Sequence, residues 1–175
     1  MKGIIIYAGK YGATAQYAKW LSETMQLPAV NLKELNAGLL AGAELVIIGS
    51  SIYVGSLLVK DWLHKHAALL QTKKVYFFIV GASVASDKDK QAHVIGANIP
   101  ALNGLEKNVF FLPGRLDLKK LSWKDKLLLK LGSMLEKDPV KKKAMRTGID
   151  AVAKEQLADL INALQVAEAQ LEKII

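Results

Sequence analysis

The sequence predicts an α/β domain in which a doubly wound, five-stranded parallel sheet of order 2-1-3-4-5 carries helices on both faces. Two observations lead there. Strand-like apolar runs alternate with helix-like segments along most of the 175 residues. The runs at 3–7, 45–48, 75–80 and 109–112 are also rich in β-branched and aromatic residues with no period-two alternation, as in strands buried on both sides. With 51% hydrophobic residues the chain can fill one sizeable core, and its length fits a single domain spanning 1–175. Right-handed crossovers between parallel strands then give a doubly wound sheet, five strands suit the order 2-1-3-4-5, and ligands collect at the strands' C-terminal ends.

A weaker strand at 29–32 follows Pro28. Residues 14–25 place Tyr17, Ala18, Leu21 and Met25 on one helical side, and 57–70 does the same with Leu58, Trp62, Ala68 and Leu69 or their close neighbours. Residues 86–98 form a less regular helix. Residues 149–174, with Val152, Leu157, Leu160, Ile161, Leu164, Ala167 and Leu171 in register, predict a long terminal helix. No repeat, low-complexity tract or linker divides the chain.

Residues 115–146 exceed what a connection needs and read as a helical insertion after the fifth strand. They hold eleven basic against four acidic residues, so seven of the net +8 charges lie there. Ser122 and Asp125 give a capping-box-like start. Trp123, Leu127, Leu131, Met134 and Leu135 then share one side, while Lys124, Lys126, Lys130 and Ser133 mark the other. Such a basic amphipathic helix suits an anionic membrane surface, which it would meet through Trp123, Lys124, Leu127, Lys130 and Leu131. Alternatively, its apolar side covers the sheet or a cofactor edge.

The chain has no cysteine, which excludes disulfides, thiol nucleophiles and cysteine-held metal clusters, so redox chemistry requires a bound cofactor. The N-terminus passes straight into a strand and does not read as a signal peptide, and the apolar window 45–59 is too short and interrupted to span a bilayer. These features predict a cytoplasmic protein, peripheral on the inner membrane face at most. No nucleic-acid motif accompanies the lysines. His64 and His66 point to different sides of a helix and His93 is remote, so no metal site is expected.

Three loops carry the chemistry. After the first strand, Gly9, Lys10, Tyr11, Gly12, Ala13 and Thr14 lead into a helix whose amides and dipole favour a phosphate, unless the glycines serve only a tight turn. The spacing is neither the dinucleotide fingerprint nor a Walker A loop. A second loop, Gly49 to Gly55, follows the third strand and offers Ser50, Ser51, Ile52, Tyr53 and Gly55 to a flat ring; otherwise Ser50 or Ser51 caps the next helix. The third has Gly81, Ala82 and Ser83. A receiver domain is excluded, because Ala8, Gly9 and Ser50 stand where it needs carboxylates.

Together these loops resemble the flavodoxin family. Within it, the chain looks similar to the menaquinone-dependent protoporphyrinogen oxidase branch, through Val46-Ile47-Ile48-Gly49-Ser50-Ser51-Ile52-Tyr53-Val54-Gly55, Trp62-Leu63-His64-Lys65-His66-Ala67, and the insertion from Gly114-Arg115-Leu116 through Trp123-Lys124-Asp125-Lys126-Leu127 to Lys130-Leu131. The resemblance spans most of the chain. It implies a flavodoxin-like fold and FMN held at its phosphate by Thr14 and the backbone of 9–13. Ser50, Ser51, Ile52, Tyr53 and Gly55 would line one flavin side, and Gly81, Ala82 and Ser83 would approach the other edge. It implies an FMN-dependent oxidoreductase whose electrons pass to a quinone or a redox protein. The flavin carries the redox chemistry, so no catalytic side chain is assigned. Ala8 and Gly9 depart from the hydroxyl residues usual in the family, leaving Thr14 as the hydroxyl donor. A soluble electron carrier, or an interaction module without FMN, are the alternative readings.

Overall fold

The computed structural model describes residues 2–82, 84–99 and 108–172. Strands β1 (Gly3–Ala8), β2 (Ala29–Asn31) and β3 (Leu45–Tyr53) alternate with helices α1 (Ala13–Met25) and α2 (Ala37–Ala41). A two-residue strand β4 (Ser56–Leu57) precedes α3 (Lys60–Leu70), β5 (Lys74–Gly81), α4 (Lys88–Asn98) and β6 (Val109–Pro113). The C-terminal part comprises β7 (Arg115–Leu116), α5 (Trp123–Leu135), α6 (Pro139–Thr147), β8 (Ile149–Asp150) and α7 (Ala158–Glu172).

The five parallel strands lie in the order β2-β1-β3-β5-β6, which is the predicted 2-1-3-4-5 arrangement. Alternation along each strand divides the core between two faces. Ile4, Ile6, Val46, Ile48, Phe77 and Ile79 pack with Leu63 and Leu70 of α3 and Val94 of α4. Ile5, Ile47, Phe78, Val80 and Leu112 pack with Tyr17 and Leu21 of α1 and Leu160 and Leu164 of α7. Both faces are therefore covered, which is why these strands show no polar alternation in sequence.

Three expectations are corrected. The third strand runs on through Gly49-Ser50-Ser51 to Tyr53 instead of ending at Ile48, because Ser50 and Ser51 are paired by Ile79 and Val80 of β5. Ile52 and Tyr53 then turn back on Leu57 and Ser56 as an antiparallel hairpin. Residues 56–57 are consequently strand, α3 starts at Lys60, and neither Ser50 nor Ser51 caps it. Leu58 and Leu69, expected on its inner side, are exposed, while Leu63 and Leu70 are buried. Third, the terminal helix starts at Ala158 rather than 149, because Ile149 and Asp150 pair with Leu116 and Arg115. Arg115 Nε donates to Asp150 Oδ2 at 2.7 Å and pins that short ladder.

The β3–β4 turn holds Val54 at φ 48° and Gly55 at φ 77°. The primed hairpin turn suits glycine at both places, and a β-branched side chain there is strained. Val54→Gly is expected to stabilise the fold by about 1 kcal/mol, raising the thermal midpoint. A lower midpoint would show that contacts of the Val54 side chain outweigh the strain.

Candidate functional site

The chain leaves β1 and enters α1 through Gly12, whose φ of 88° and lack of a side chain leave the helix without a side-chain cap. The leading amides of α1, at the positive end of its dipole, are thus available to an outside anion. Thr14 sits in the first turn, 1% exposed, and its buried Oγ1 has no hydrogen-bond partner. A Cβ added at Gly9 would lie 2.8 Å from Thr14 Cβ and 2.9 Å from its Oγ1. Glycine at position 9 is therefore what allows Thr14 its place, and a hydroxyl residue would not fit there.

The second rim is the end of β3. Alternation turns Ser51 toward the site, where its buried Oγ also lacks a partner. Ser50 is turned away, 1% exposed, with its hydroxyl donating to Ser51 O at 3.1 Å. The third rim, Gly81 and Ala82, is crossed closely by Gly114, whose N–H donates to Gly81 O at 3.2 Å. A Cβ at Gly114 would stand 3.1 Å from the Gly81 carbonyl carbon.

These rims enclose a cavity of about 530 Å³. Ten of the expected site residues line it: Lys10, Tyr11, Ala13, Thr14, Ser51, Ile52, Tyr53, Gly55, Gly81 and Ala82. Gly9, Gly12 and Ser50 do not. Gly9 and Gly12 shape the turn behind Thr14, and Ser50 falls on the wrong side of the pleat. Ser83 lies outside the described residues. An unpartnered hydroxyl beside free helix amides fits a phosphate, and a second one above an apolar slot fits the polar edge of a flat heterocycle. This donor set fits FMN: Thr14 and the α1 amides would hold the phosphate, and Ser51, Tyr53 and Gly81 would flank the ring.

The roof comes from α5. Ser122 caps the helix by accepting from Asp125 N at 3.2 Å, as its sequence implies. Asp125 itself points inward, 7% exposed, and accepts from Tyr53 Oη at 2.6 Å and from Tyr11 Oη. Lys10 Nζ completes the cluster 2.7 Å from Asp125 Oδ2 and 3.8 Å from the Tyr53 ring centroid. A single carboxylate thus ties the insertion to two cofactor rims.

The Asp125 hydrogen bond is the main reason the Lys10 ammonium is held above its ordinary pKa of 10.5, outweighing desolvation, with Tyr53 adding to it. A raised folded value contributes stability that is fully present below that pKa and lost as pH climbs through the folded one. The contribution of Lys10 to the clasp therefore persists across the neutral range and is lost in strong alkali. Asp125→Ala leaves Lys10 and both hydroxyls without their acceptor. It is expected to destabilise the fold by about 1–3 kcal/mol in urea titration and to speed amide exchange in the first turns of α5.

Sequence reasoning missed Asp125 as a site residue, together with Leu128, Leu129, Gly132 and Met145, which also line the cavity. The sequence leaves open which side of α5 faces the domain. In the fold Asp125 and Ser133 are buried, and the apolar stripe looks outward, with Trp123 72%, Leu127 52%, Leu131 51% and Leu135 82% exposed. The stripe does not cover the sheet. Among the described residues no helix is long and apolar enough to cross a membrane.

A family model described as a flavodoxin domain matches residues 4–143. Among solved structures, the chain is similar to the flavodoxin, WrbA-like protein from Agrobacterium tumefaciens, at 20% identity over 70% of this chain and 86% of that one, with a TM-score of 0.46. Flavodoxin 1 from Bacillus cereus matches at 16% identity, covering 67% and 88% of the two chains, with a TM-score of 0.43. Rubredoxin oxygen:oxidoreductase from Desulfovibrio gigas matches at 16%, covering 84% of this chain and 37% of that one, with a TM-score of 0.47. No curated protein matches the sequence. The domain match covers most of the chain, and with the rim described above it gives the assignment: the chain belongs to the flavodoxin family and is an FMN-binding electron-transfer flavoprotein.

Proposed function

We propose that this protein is an FMN-dependent oxidoreductase of the protoporphyrinogen dehydrogenase kind, working on an anionic membrane surface and passing electrons through the flavin to a quinone. One observation carries the reading. A single helix, α5, turns Asp125 and Leu129 onto the cofactor cavity and Trp123, Leu127, Leu131 and Leu135 outward. The outward stripe is flanked by Lys124 and Lys130, within the segment that holds most of the chain's positive surplus. A lipid-soluble reductant or quinone would thus meet the protein where the cavity roof lies. The substrate class is what the resemblance through Val46 to Gly55, Trp62 to Ala67 and the insertion from Gly114 to Leu131 implies. A freely diffusing carrier has no use for an apolar stripe beside a basic patch.

The test combines cofactor and lipid binding. The protein with added FMN is expected to quench flavin fluorescence and to float with phosphatidylglycerol vesicles. Trp123→Ser with Leu127→Ser removes two apolar anchors of about 1.5–3 kcal/mol each when fully buried. Vesicle partitioning is therefore expected to fall by a factor on the order of 100, with FMN binding unchanged. FMN binding without flotation would leave a soluble carrier, and no FMN binding would overturn the redox reading altogether. Flavin-dependent oxidation of protoporphyrinogen with a quinone acceptor is the turnover expected of the wild type.

A further inference from the structure

The cofactor wall formed by the β3–β4 hairpin is held from behind by one buried side chain outside the cavity. Ile52, Tyr53, Val54 and Gly55 of this hairpin line the cofactor cavity, yet only Ile52 and Tyr53 pair with Leu57 and Ser56 across it. Val54 stands at its tip, 74% exposed and in the left-handed region. Because β4 pairs with β3 alone, the polar backbone groups on its far side need partners from elsewhere.

Those partners come from Asn98, the last residue of α4, which is 1% exposed. Its Oδ1 accepts from Leu57 N at 2.9 Å, and its Nδ2 donates to Gly55 O at 3.2 Å and to Val94 O at 3.0 Å. The Gly55 carbonyl and the Leu57 amide are the groups a neighbouring strand would engage, and the primary amide of Asn98 takes that strand's place. Turned the other way, it would set donor against donor and acceptor against acceptor. A position that needed only filling would take an apolar residue, as Val94 does one turn earlier. Asn98 does not itself line the cavity, so it can reach the cofactor only through the hairpin.

We propose that Asn98 is a positioning residue for the isoalloxazine ring, holding the Tyr53 to Gly55 wall where the ring is gripped. Asp125 fixes the Tyr53 hydroxyl from the roof and Asn98 fixes the backbone behind it, so the wall is clamped at two points. The coupling is reciprocal: a held hairpin favours the ring, and a bound ring favours the held hairpin by the same factor. This role is the same in an electron carrier and in an enzyme.

Asn98→Ser keeps a hydroxyl for the Val94 carbonyl, a bond serine makes within helices, and removes both bonds to the hairpin. It is expected to weaken FMN and riboflavin binding alike, each about tenfold. Flavin bound to the variant should stay partly fluorescent, because the Tyr53 wall no longer remains closed on it. In the parent protein, which tests the idea without any variant, FMN and riboflavin should each slow hydrogen exchange at the Leu57 amide by about the same factor of ten. Asn108→Ala is the control. Asn108 also donates to backbone, Val75 O at 3.1 Å, but at the end of β5 away from the cavity, so its loss should leave both flavin affinities unchanged. A lower thermal midpoint of Asn98→Ser with both affinities intact would overturn the proposal and leave Asn98 a purely structural residue. So would a loss confined to FMN, which would place the effect at the phosphate, an equal loss in Asn108→Ala, or Leu57 exchange that neither flavin alters.

Discussion

Gly49→Ala is expected to destabilise the protein by about 3 kcal/mol or more, at the upper end for an overpacked core. Gly49 lies in the central strand β3, registered against Phe78 of β5. A methyl group there would stand 2.1 Å from Phe78 Cζ and 2.5 Å from Cε2. Phe78 is wholly buried between α1 and α7, so its ring has nowhere to swing. For a chain of this size the cost corresponds to a fall in thermal midpoint of roughly 10 °C. Phe78→Leu should restore part of it, and a double-mutant cycle between the two positions is expected to show coupling above about 1 kcal/mol. The control is Gly96→Ala in α4, where an added Cβ meets nothing within 4 Å. That change should stabilise the protein by about 0.5–1 kcal/mol through helix propensity alone. Equal midpoints for the two alanine variants would mean that β3 and β5 are not packed in this register.

The contrast between these glycines marks what sequence can convey. Residues 4–6, 46–48 and 77–80 are apolar at every position because the sheet is covered on both sides, and that pattern predicts buried parallel strands, while their order follows only when the alternation with helices is added. Gly49-Ser50-Ser51, by contrast, resembles a turn by composition, and only the ladder from Ile79 and Val80 makes it strand. Ile149 and Asp150 likewise continue a helical pattern locally, and their partners Leu116 and Arg115 lie over thirty residues away.

The α5 helix shows the same limit more sharply. Its period was readable, but its direction was not. Apolar residues normally point inward, and here a buried carboxylate reverses that preference because Tyr11, Lys10 and Tyr53 supply its hydrogen bonds. Those partners are 72 and more residues distant in sequence. The cofactor rims were legible because each is a short local run of glycine and hydroxyl residues at a strand end. The roof was not, because it exists only through contacts made across the fold.

Thr14→Val is expected to move two measurements in opposite directions. The substitution is nearly isosteric and removes only a hydroxyl that is buried and unpartnered without a ligand. An unpaired buried hydroxyl costs about 1–3 kcal/mol, so the cofactor-free protein should become more stable. With FMN present the same hydroxyl would donate to a charged phosphate, a hydrogen bond of about 1.5–3 kcal/mol, and its loss should weaken FMN binding by a factor of about 10 to 100. The rise in midpoint on adding FMN therefore shrinks from both ends. Gly9→Ala separates this from mere damage at the turn. Its methyl would press within 2.9 Å of Thr14 Oγ1, and it should lower both the cofactor-free midpoint and the affinity. Riboflavin, which keeps the ring but lacks the phosphate, completes the argument. Its affinity should be unchanged by Thr14→Val, so that the preference for FMN over riboflavin narrows by the same factor. If riboflavin binding falls in step with FMN, Thr14 contacts some other part of the cofactor, and the anion site at the head of α1 is misplaced.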